Sequence, residues 1–362
     1  ALSTAMHALA PKNSNHQLEG VLFTCMDDGR IRLTISNDNM MIESFRKADI
    51  IEGGKVLFPA RILYDLIRRL DGELDIECNE EKRTAKVVAY NSKTDIRLME
   101  AANYPLPPVL DKEVSVRIKE KDLVRAVFGT TFAAAPPDAQ NRSLRGCMFD
   151  FKDGAVNFVC LDGFRVAIHR VKVESASAPK ARAILERDAM NEIAKMLSPE
   201  SEDYLSFHVS IDAMKVCIND ETIIYNGQML GKFIEYESLL PKSWTTTVKI
   251  NRLTFISAVE RSNIFSKFVN NLVVMKLSEE GMKLVVKSEQ GNVDDIVPIE
   301  LEGAPLTLGF NNRYLMEMLK NINETDIFMH FNTNISPCIV MPKEGDEFYY
   351  LVLPMRLSGL EC

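Results

Sequence analysis

The sequence contains no apolar run long enough to span a membrane. Its opening, ALSTAMHALAPK, has neither the basic start nor the cleavage site of a secretory signal, so a cytoplasmic location is expected. Cysteine pairs are also missing. The seven cysteines (Cys25, Cys78, Cys147, Cys160, Cys217, Cys338 and Cys362) are scattered singly, mostly inside apolar stretches. Such residues serve as small core fillers, and neither a zinc site nor a disulfide framework is expected. The five histidines (His7, His16, His169, His208 and His330) are dispersed without metal-ligand spacing, so no metal is expected. There is no Gly-x-Ser-x-Gly elbow, no phosphate loop and no Gly-x-Gly-x-x-Gly, so no cofactor and no catalytic residue are expected. The acidic pairs Asp27-Asp28, Glu279-Glu280 and Asp294-Asp295 fall in or near expected turns, where solvated carboxylates are ordinary. Excess positive charge is lacking too. A net charge of −8 argues against gripping nucleic acid over an extended basic surface, because each neutralised phosphate needs a Lys or Arg; a local basic face remains open.

What the chain does have is internal repetition. Leu144 to Ile168 (LRGCMFDFKDGAVNFVCLDGFRVAI) resembles Leu18 to Ile42 (LEGVLFTCMDDGRIRLTISNDNMMI). Both open Leu-x-Gly, run through an apolar segment, turn at Asp-Gly and return, which is a hairpin signal because Gly reaches positive φ without a Cβ clash. Gly146 follows Gly20 by 126 positions, and a weaker copy at Asn271 to Ile296 turns at Glu280-Gly281, 127 positions after Gly154. Helical periodicity repeats as well: Leu63, Leu66 and Leu70, then Met190, Ile193 and Leu197, then Leu315, Met318 and Ile322. A short helix is expected over Leu2, Ala5, Met6 and Leu9, and a small-residue loop over 176–183.

These signals predict an α+β protein of three similar domains, each with two helices packed on an antiparallel sheet. The expected limits are 1–110, 111–241 and 242–357, followed by a flexible tail at 358–362. Prolines at 105, 107 and 108 mark the first boundary, since they cannot donate to a ladder. A solenoid is the other repeat architecture, but its repeats are a few tens of residues long and cannot fold alone.

Four features carry a family resemblance: the threefold repeat, the unit ends YPLPP and FIEYESLLP, the internal LDGFRVA and the terminal YLVLPMRL. Together they resemble the bacterial DNA polymerase III β sliding clamp over essentially the whole chain. The resemblance implies the DNA clamp fold, a head-to-tail homodimeric ring around duplex DNA, and an apolar pocket that receives short linear peptides from polymerases, the clamp loader and repair proteins. By that resemblance the pocket would use Leu144, Gly163, Phe164, Arg165, Val166 and Leu239 with Asn311, Tyr314, Pro354, Met355, Arg356 and Leu357. Leu144, Val166 and Leu239 fit plain core positions equally well. The DNA-facing residues would be Arg61, Arg68, Lys121, Arg125, Lys195, Lys249, Arg252, Arg313 and Lys320, all on or beside predicted helices. Ordinary solvated faces account for such residues too. Ring closure would bring Tyr104 against Ile264 and Phe265, flanked by Arg261 and Lys267; an internal core position for Phe265 has equal weight.

The chain departs from the family pattern at Ile234, where Pro is common, and at Phe164, where His is frequent, and both changes bear on pocket shape and peptide preference. It also starts inside the first helix, without the family's opening strand. The tail Ser358–Cys362 is expected near the pocket. Two other readings are a clamp-fold peptide adaptor that does not encircle DNA, and a hydrolase built on repeated α+β units.

Overall fold

The computed structural model describes residues 1–9 and 15–357, and the expected tail with Cys362 lies outside them. The chain divides into two compact units. One holds Ala1–Glu120, Glu174–Ala178 and Lys195–Gln228; the other holds Lys121–Val173, Pro179–Ala194 and the residues from Met229 onward. The division therefore runs through the middle repeat, whose halves are each built into a sheet with a different neighbour.

In the first unit a nine-stranded antiparallel sheet runs in the order Ser175–Ala176, Val114–Lys119, Tyr204–Val209, Ala213–Ile218, Thr222–Gly227, Met40–Lys47, Arg30–Ser36, Gly20–Cys25 and Lys55–Pro59. First and middle repeats join where Ile224 stands opposite Ile42. A three-stranded sheet of Asp75–Asn79, Thr84–Ala89 and Ser92–Arg97 completes the unit, and the helix Ala60–Ile67 buries Ala60 and Leu63. The N-terminal periodicity forms a single helical turn, Leu2–Ala5, continued by the 3-10 turn Met6–Ala8.

The second unit has the matching arrangement: Lys180–Glu186, Gly146–Lys152, Ala155–Leu161, Arg165–Lys172, Phe348–Val352, Cys338–Met341, Asp326–Phe331, Thr246–Asn251 and Ile299–Glu302. Middle and last repeats join where Val166 stands opposite Leu351. Strand Ala155–Leu161 is buried at every position, which its near-continuous apolar sequence requires. A four-stranded sheet of Gly291–Val297, Gly281–Ser288, Leu272–Ser278 and Leu306–Asn311 packs against helix Arg252–Ser266.

The repeat has a physical basis at its entry. Asn15 and Asn141, again 126 apart, each accept a backbone N–H two residues on and cap a 3-10 turn, His16–Glu19 and Arg142–Arg145. The glycine that follows starts the hairpin in close contact with a neighbouring strand. A methyl added to Gly20 would lie 2.7 Å from Cδ1 of Leu57, and one on Gly146 would lie 2.7 Å from the Leu185 carbonyl. The Asp-Gly turns are present, with φ of 75° at Gly29 and 71° at Gly154.

Two expectations are corrected. The segment 176–183 is a loop only at 177–179: Lys180–Glu186 is the edge strand of a nine-stranded sheet, because Ala183, Ile184 and Leu185 bury against Gly146–Lys152. Alanines had disguised it as a linker. Cys147, Cys160 and Cys338 are buried fillers, but Cys78 is exposed on strand Asp75–Asn79.

Candidate functional site

The turn at Asp162 organises the site. Its Oδ1 accepts the backbone N–H groups of Phe164 at 2.9 Å and Arg165 at 3.1 Å, and Gly163 takes φ of 92°. Phe164 is thereby turned outward, 60% exposed, while Arg165 is turned inward at 5%. The Phe164 carbonyl accepts from Leu353 N–H at 2.8 Å, which fastens the turn to the strand exit leading to Pro354.

Arg165 is the hub. Its Nε donates to Asp162 Oδ2 at 3.1 Å, its Nη2 to the Phe132 carbonyl at 2.7 Å, and its Nη1 to Glu317. The guanidinium also lies 4.3 Å from the Tyr314 ring centroid and 5.5 Å from that of Phe132. A guanidinium so committed holds the wall together. The pairing of Asp162 with Arg165 is the local turn and ion pair that their spacing suggests.

Helix Asn312–Lys320 forms the opposite wall. The Asn311 side chain caps it, accepting Arg313 N–H at 3.0 Å, so Asn311 spends its acceptor on the helix. Glu317 receives Arg313 Nε at 2.8 Å as well as Arg165. Burial works against its charge, but the hydrogen bonds from Arg165 and Arg313 prevail and hold the carboxyl below the usual Glu range. Tyr314 is half-buried, with its ring centroid 6.4 Å from that of Phe164. Met355 N–H donates to the Gly309 carbonyl at 2.7 Å, and Leu357 packs where a side chain on Gly309 would stand. Pro354, Met355 and Leu357 are half-buried and Arg356 is exposed.

Leu144 and Val166 belong to the packed core with Leu161, Ile168, Phe233, Tyr236 and Leu351. Leu18, the equivalent of Leu144 in the first repeat, is buried too, so burial at this position belongs to the fold. Leu239 is 42% exposed at the end of the 3-10 turn Tyr236–Leu239. Tyr236 anchors that turn by donating to Asp150 at 2.7 Å, and the adjoining Leu240 packs on the cluster that holds Leu144 and Val166. The chain thus brings Phe164 beside Tyr314 and ties the segment that carries Met355 and Leu357 to the Phe164 turn and to Gly309, with Leu144 and Val166 in the core cluster against which Leu240 packs. Glu317 and Phe132 were not foreseen. The signal for Glu317 was present, since three and four residues from Tyr314 and Arg313 place it on their helix face; Phe132 contributes a backbone carbonyl, which no side-chain pattern marks.

The basic residues sort into two groups. Arg61, Arg68, Arg125, Lys195 and Lys320 are exposed and Lys121 is half-buried. Lys249 instead pairs with Glu300 at 2.7 Å and lies 3.7 Å from Asp326. Arg252 donates to the carbonyls of Glu324 at 3.0 Å and Leu319 at 3.4 Å, at the exit of the last helix, and Arg313 is bound to Glu317. These three are engaged within the fold, and Arg68 too has a partner, the Tyr64 ring 5.3 Å away.

Among the junction residues, Ile264 is 56% exposed, next to exposed Phe268. Phe265 is half-buried, its ring over Gly291, where an added methyl would meet Cε1 at 2.7 Å. Tyr104, the third of these residues, points inward and is buried within its own domain. Its hydroxyl accepts Ser36 N–H at 3.0 Å and faces the Thr34 carbonyl at 3.2 Å, and burial pushes its phenol pKa up.

Solved structures that share this architecture include DNA polymerase sliding clamps. A putative DNA polymerase III beta subunit from Eubacterium rectale superimposes with a TM-score of 0.91 at 20% identity, covering 98% of this chain and 96% of that one. The Pseudomonas aeruginosa sliding clamp, solved with a ligand, gives 0.91 at 23%, with the same coverage of both chains. The beta sliding clamp of Synechococcus elongatus is 25% identical over 357 residues, 96% of this chain and 94% of that protein. Three successive family models match: the N-terminal domain of the DNA polymerase III beta subunit at residues 1–108, the central domain at 117–231 and the C-terminal domain at 237–356. The chain belongs to the DNA polymerase III beta subunit family.

Proposed function

We propose that the protein is a DNA polymerase processivity factor, a sliding clamp whose two copies close head to tail around duplex DNA and tether replication and repair proteins through the groove at Phe164 and Tyr314. The observation that carries this reading is the succession of three beta-subunit domains along one chain, matched in order with almost nothing left over. Taken as domains 1–110, 111–241 and 242–357, two chains supply six. A closed ring holds DNA by topology, so a net charge of −8 is no obstacle, and a modest set of cations, Arg61, Arg68, Lys121, Arg125, Lys195 and Lys320, is enough to tolerate phosphates without gripping them.

Ring closure in this reading uses Ile264 and Phe268, with Phe265 beneath them and Tyr104 inside its own domain. An apolar patch flanked by Arg261 and Lys267 suits an interface with a dry centre and charged rim. The groove takes apolar peptide anchors on Phe164, Tyr314, Leu239, Met355 and Leu357, with Leu144 and Val166 as its floor and Gly163, Pro354 and Arg356 on its rim. Arg165 and Asn311 hold the walls. The protein performs no catalysis, needs a separate ATP-consuming loader and works in the cytoplasm.

The test is retention on circular against linear duplex DNA after loading by a clamp loader, followed by a high-salt wash. Salt removes phosphate-mediated binding but leaves a topological link intact. Retention on circles with loss from free ends is expected. Equal loss from both, with a monomeric mass and intact peptide binding, would leave a clamp-fold adaptor in its place.

A further inference from the structure

We infer that Glu317 is a positioning residue of the groove: by joining Arg165 to the helix that carries Tyr314, it sets the spacing of the two rings that receive an apolar anchor of a peptide. The inference rests on the peptide-groove reading above and adds a residue to it.

The two rings come from distant parts of the chain. Phe164 sits on the turn after strand Ala155–Leu161, and Tyr314 in helix Asn312–Lys320. Their centroids are 6.4 Å apart and their planes are inclined by 31°. A tilted pair at the outer part of the aromatic contact range contributes only about 0.5–1.5 kcal/mol, too little by itself to fix a helix against a turn. Something else must set their distance, and the charged groups behind them do so. Arg165 follows Phe164 directly, and its guanidinium is fixed by Asp162, the Phe132 carbonyl and Glu317. Of these three, Asp162 and Phe132 lie on the Phe164 side of the groove, whereas Glu317 lies on the helix, one turn beyond Tyr314. Glu317 is therefore the hydrogen-bonded link from guanidinium to helix. Arg313 binds the outer oxygen of the same carboxylate at 2.8 Å and orients it, but does not itself connect the walls.

The chemistry of the link favours rigidity. A carboxylate between two guanidinium groups accepts charge-assisted hydrogen bonds on both oxygens, which restricts its torsions more than one neutral bond would. The guanidinium lies in turn under the Tyr314 ring at 4.3 Å, so moving the helix outward would break a cation–π contact and a salt bridge together. Preorganised rings spare a peptide the cost of ordering them.

The experiment is a double-mutant cycle on the full chain. Wild type, E317Q, R313A and Y314A are titrated with two fluorescein-labelled nonapeptides, one bearing leucine and phenylalanine anchors, the other with the phenylalanine replaced by alanine. E317Q is expected to weaken the phenylalanine peptide about 10-fold and the alanine peptide less than about 2-fold, a coupling that a merely structural defect would not produce. R313A, which removes one of the two bonds that orient the carboxylate, is expected to weaken the phenylalanine peptide less than E317Q does, and the E317Q melting temperature to stay within about 3 °C of wild type. Equal loss on both peptides, or no loss in E317Q while Y314A abolishes binding, overturns the positioning role and leaves the groove standing. Binding of the phenylalanine peptide unaffected by Y314A overturns the groove reading and the inference with it.

Discussion

Replacing Arg165 with alanine would leave the Asp162 carboxylate, whose side chain is only 8% exposed, with its two backbone donors and no counter-charge, take the donor from the Phe132 carbonyl and leave Glu317 with Arg313 alone. Breaking a buried ion pair by removing one partner costs about 3–5 kcal/mol, because the remaining charge stays buried without compensation. Loss of the contact with Tyr314 would add roughly 1 kcal/mol. These effects share one side chain and do not sum, and water reaches Glu317, 31% exposed, to restore part of its solvation. The expected loss for R165A is about 3–4 kcal/mol, and for R165M, which keeps the packing of the stem, about 2–3 kcal/mol. Urea unfolding followed by the fluorescence of Trp244 reads it, since that residue stacks on His330 at 4.2 Å within the same compact unit. The pH dependence has a definite sign. Because the Glu317 carboxyl is held below its usual range, its contribution is complete above the ordinary Glu pKa and is lost as pH falls through the folded-state value. R165M has already lost most of that contribution, so its deficit relative to wild type should narrow on acidification. A neutral-pH deficit below about 0.5 kcal/mol, or a gap that widens below about pH 5, would refute the reasoning.

Three further outcomes are expected. Burial, with the nearby Arg125 charge, pushes His169 down to about 4, and its sealed Nδ1 has no hydrogen-bond partner among the described residues. A folded-state pKa below the unfolded value means its contribution is complete above about pH 6.5 and lost as pH falls toward 4, by at most roughly 3 kcal/mol; wild type should therefore lose more stability than H169Q over that window in paired urea titrations. Y104F removes a hydroxyl that serves Ser36 and faces Thr34, and should cost about 1–2 kcal/mol without changing the sedimenting mass; a loss of dimer at unchanged melting temperature would return Tyr104 to the junction between chains. N15A and N141A remove the same cap in two repeats and should each cost about 1 kcal/mol by thermal unfolding, so a cost confined to one would break their structural equivalence.

Much of the fold was legible because its signals are short-range. The Asp-Gly turns and the helical periodicities of Leu63 and Leu66, of Met190 and Ile193, and of Leu315 and Met318 each act within a few residues of themselves. Where local signals were weak, the reading failed: the alanine-rich segment before Arg187 looked like a linker, and only its neighbour Gly146–Lys152 makes it a strand. At the site, the Asp162–Arg165 turn and the Phe164 rim could be read from one run of residues. The inward turn of Tyr104, the engagement of Lys249 and Arg252, and the link through Glu317 could not, because each depends on a partner dozens to more than a hundred residues away.

The sequence by itself determined the threefold repeat, the α+β plan and the family, since periodicity, turn chemistry and motif order are written along the chain. Tertiary structure alone decided that the middle repeat is divided between two sheets, through Ile224 opposite Ile42 and Val166 opposite Leu351. It also decided which charged side chains face solvent and which are consumed by the fold. Strand pairing and charge pairing are settled by what packing brings alongside, and a position in the sequence does not specify its neighbours in space.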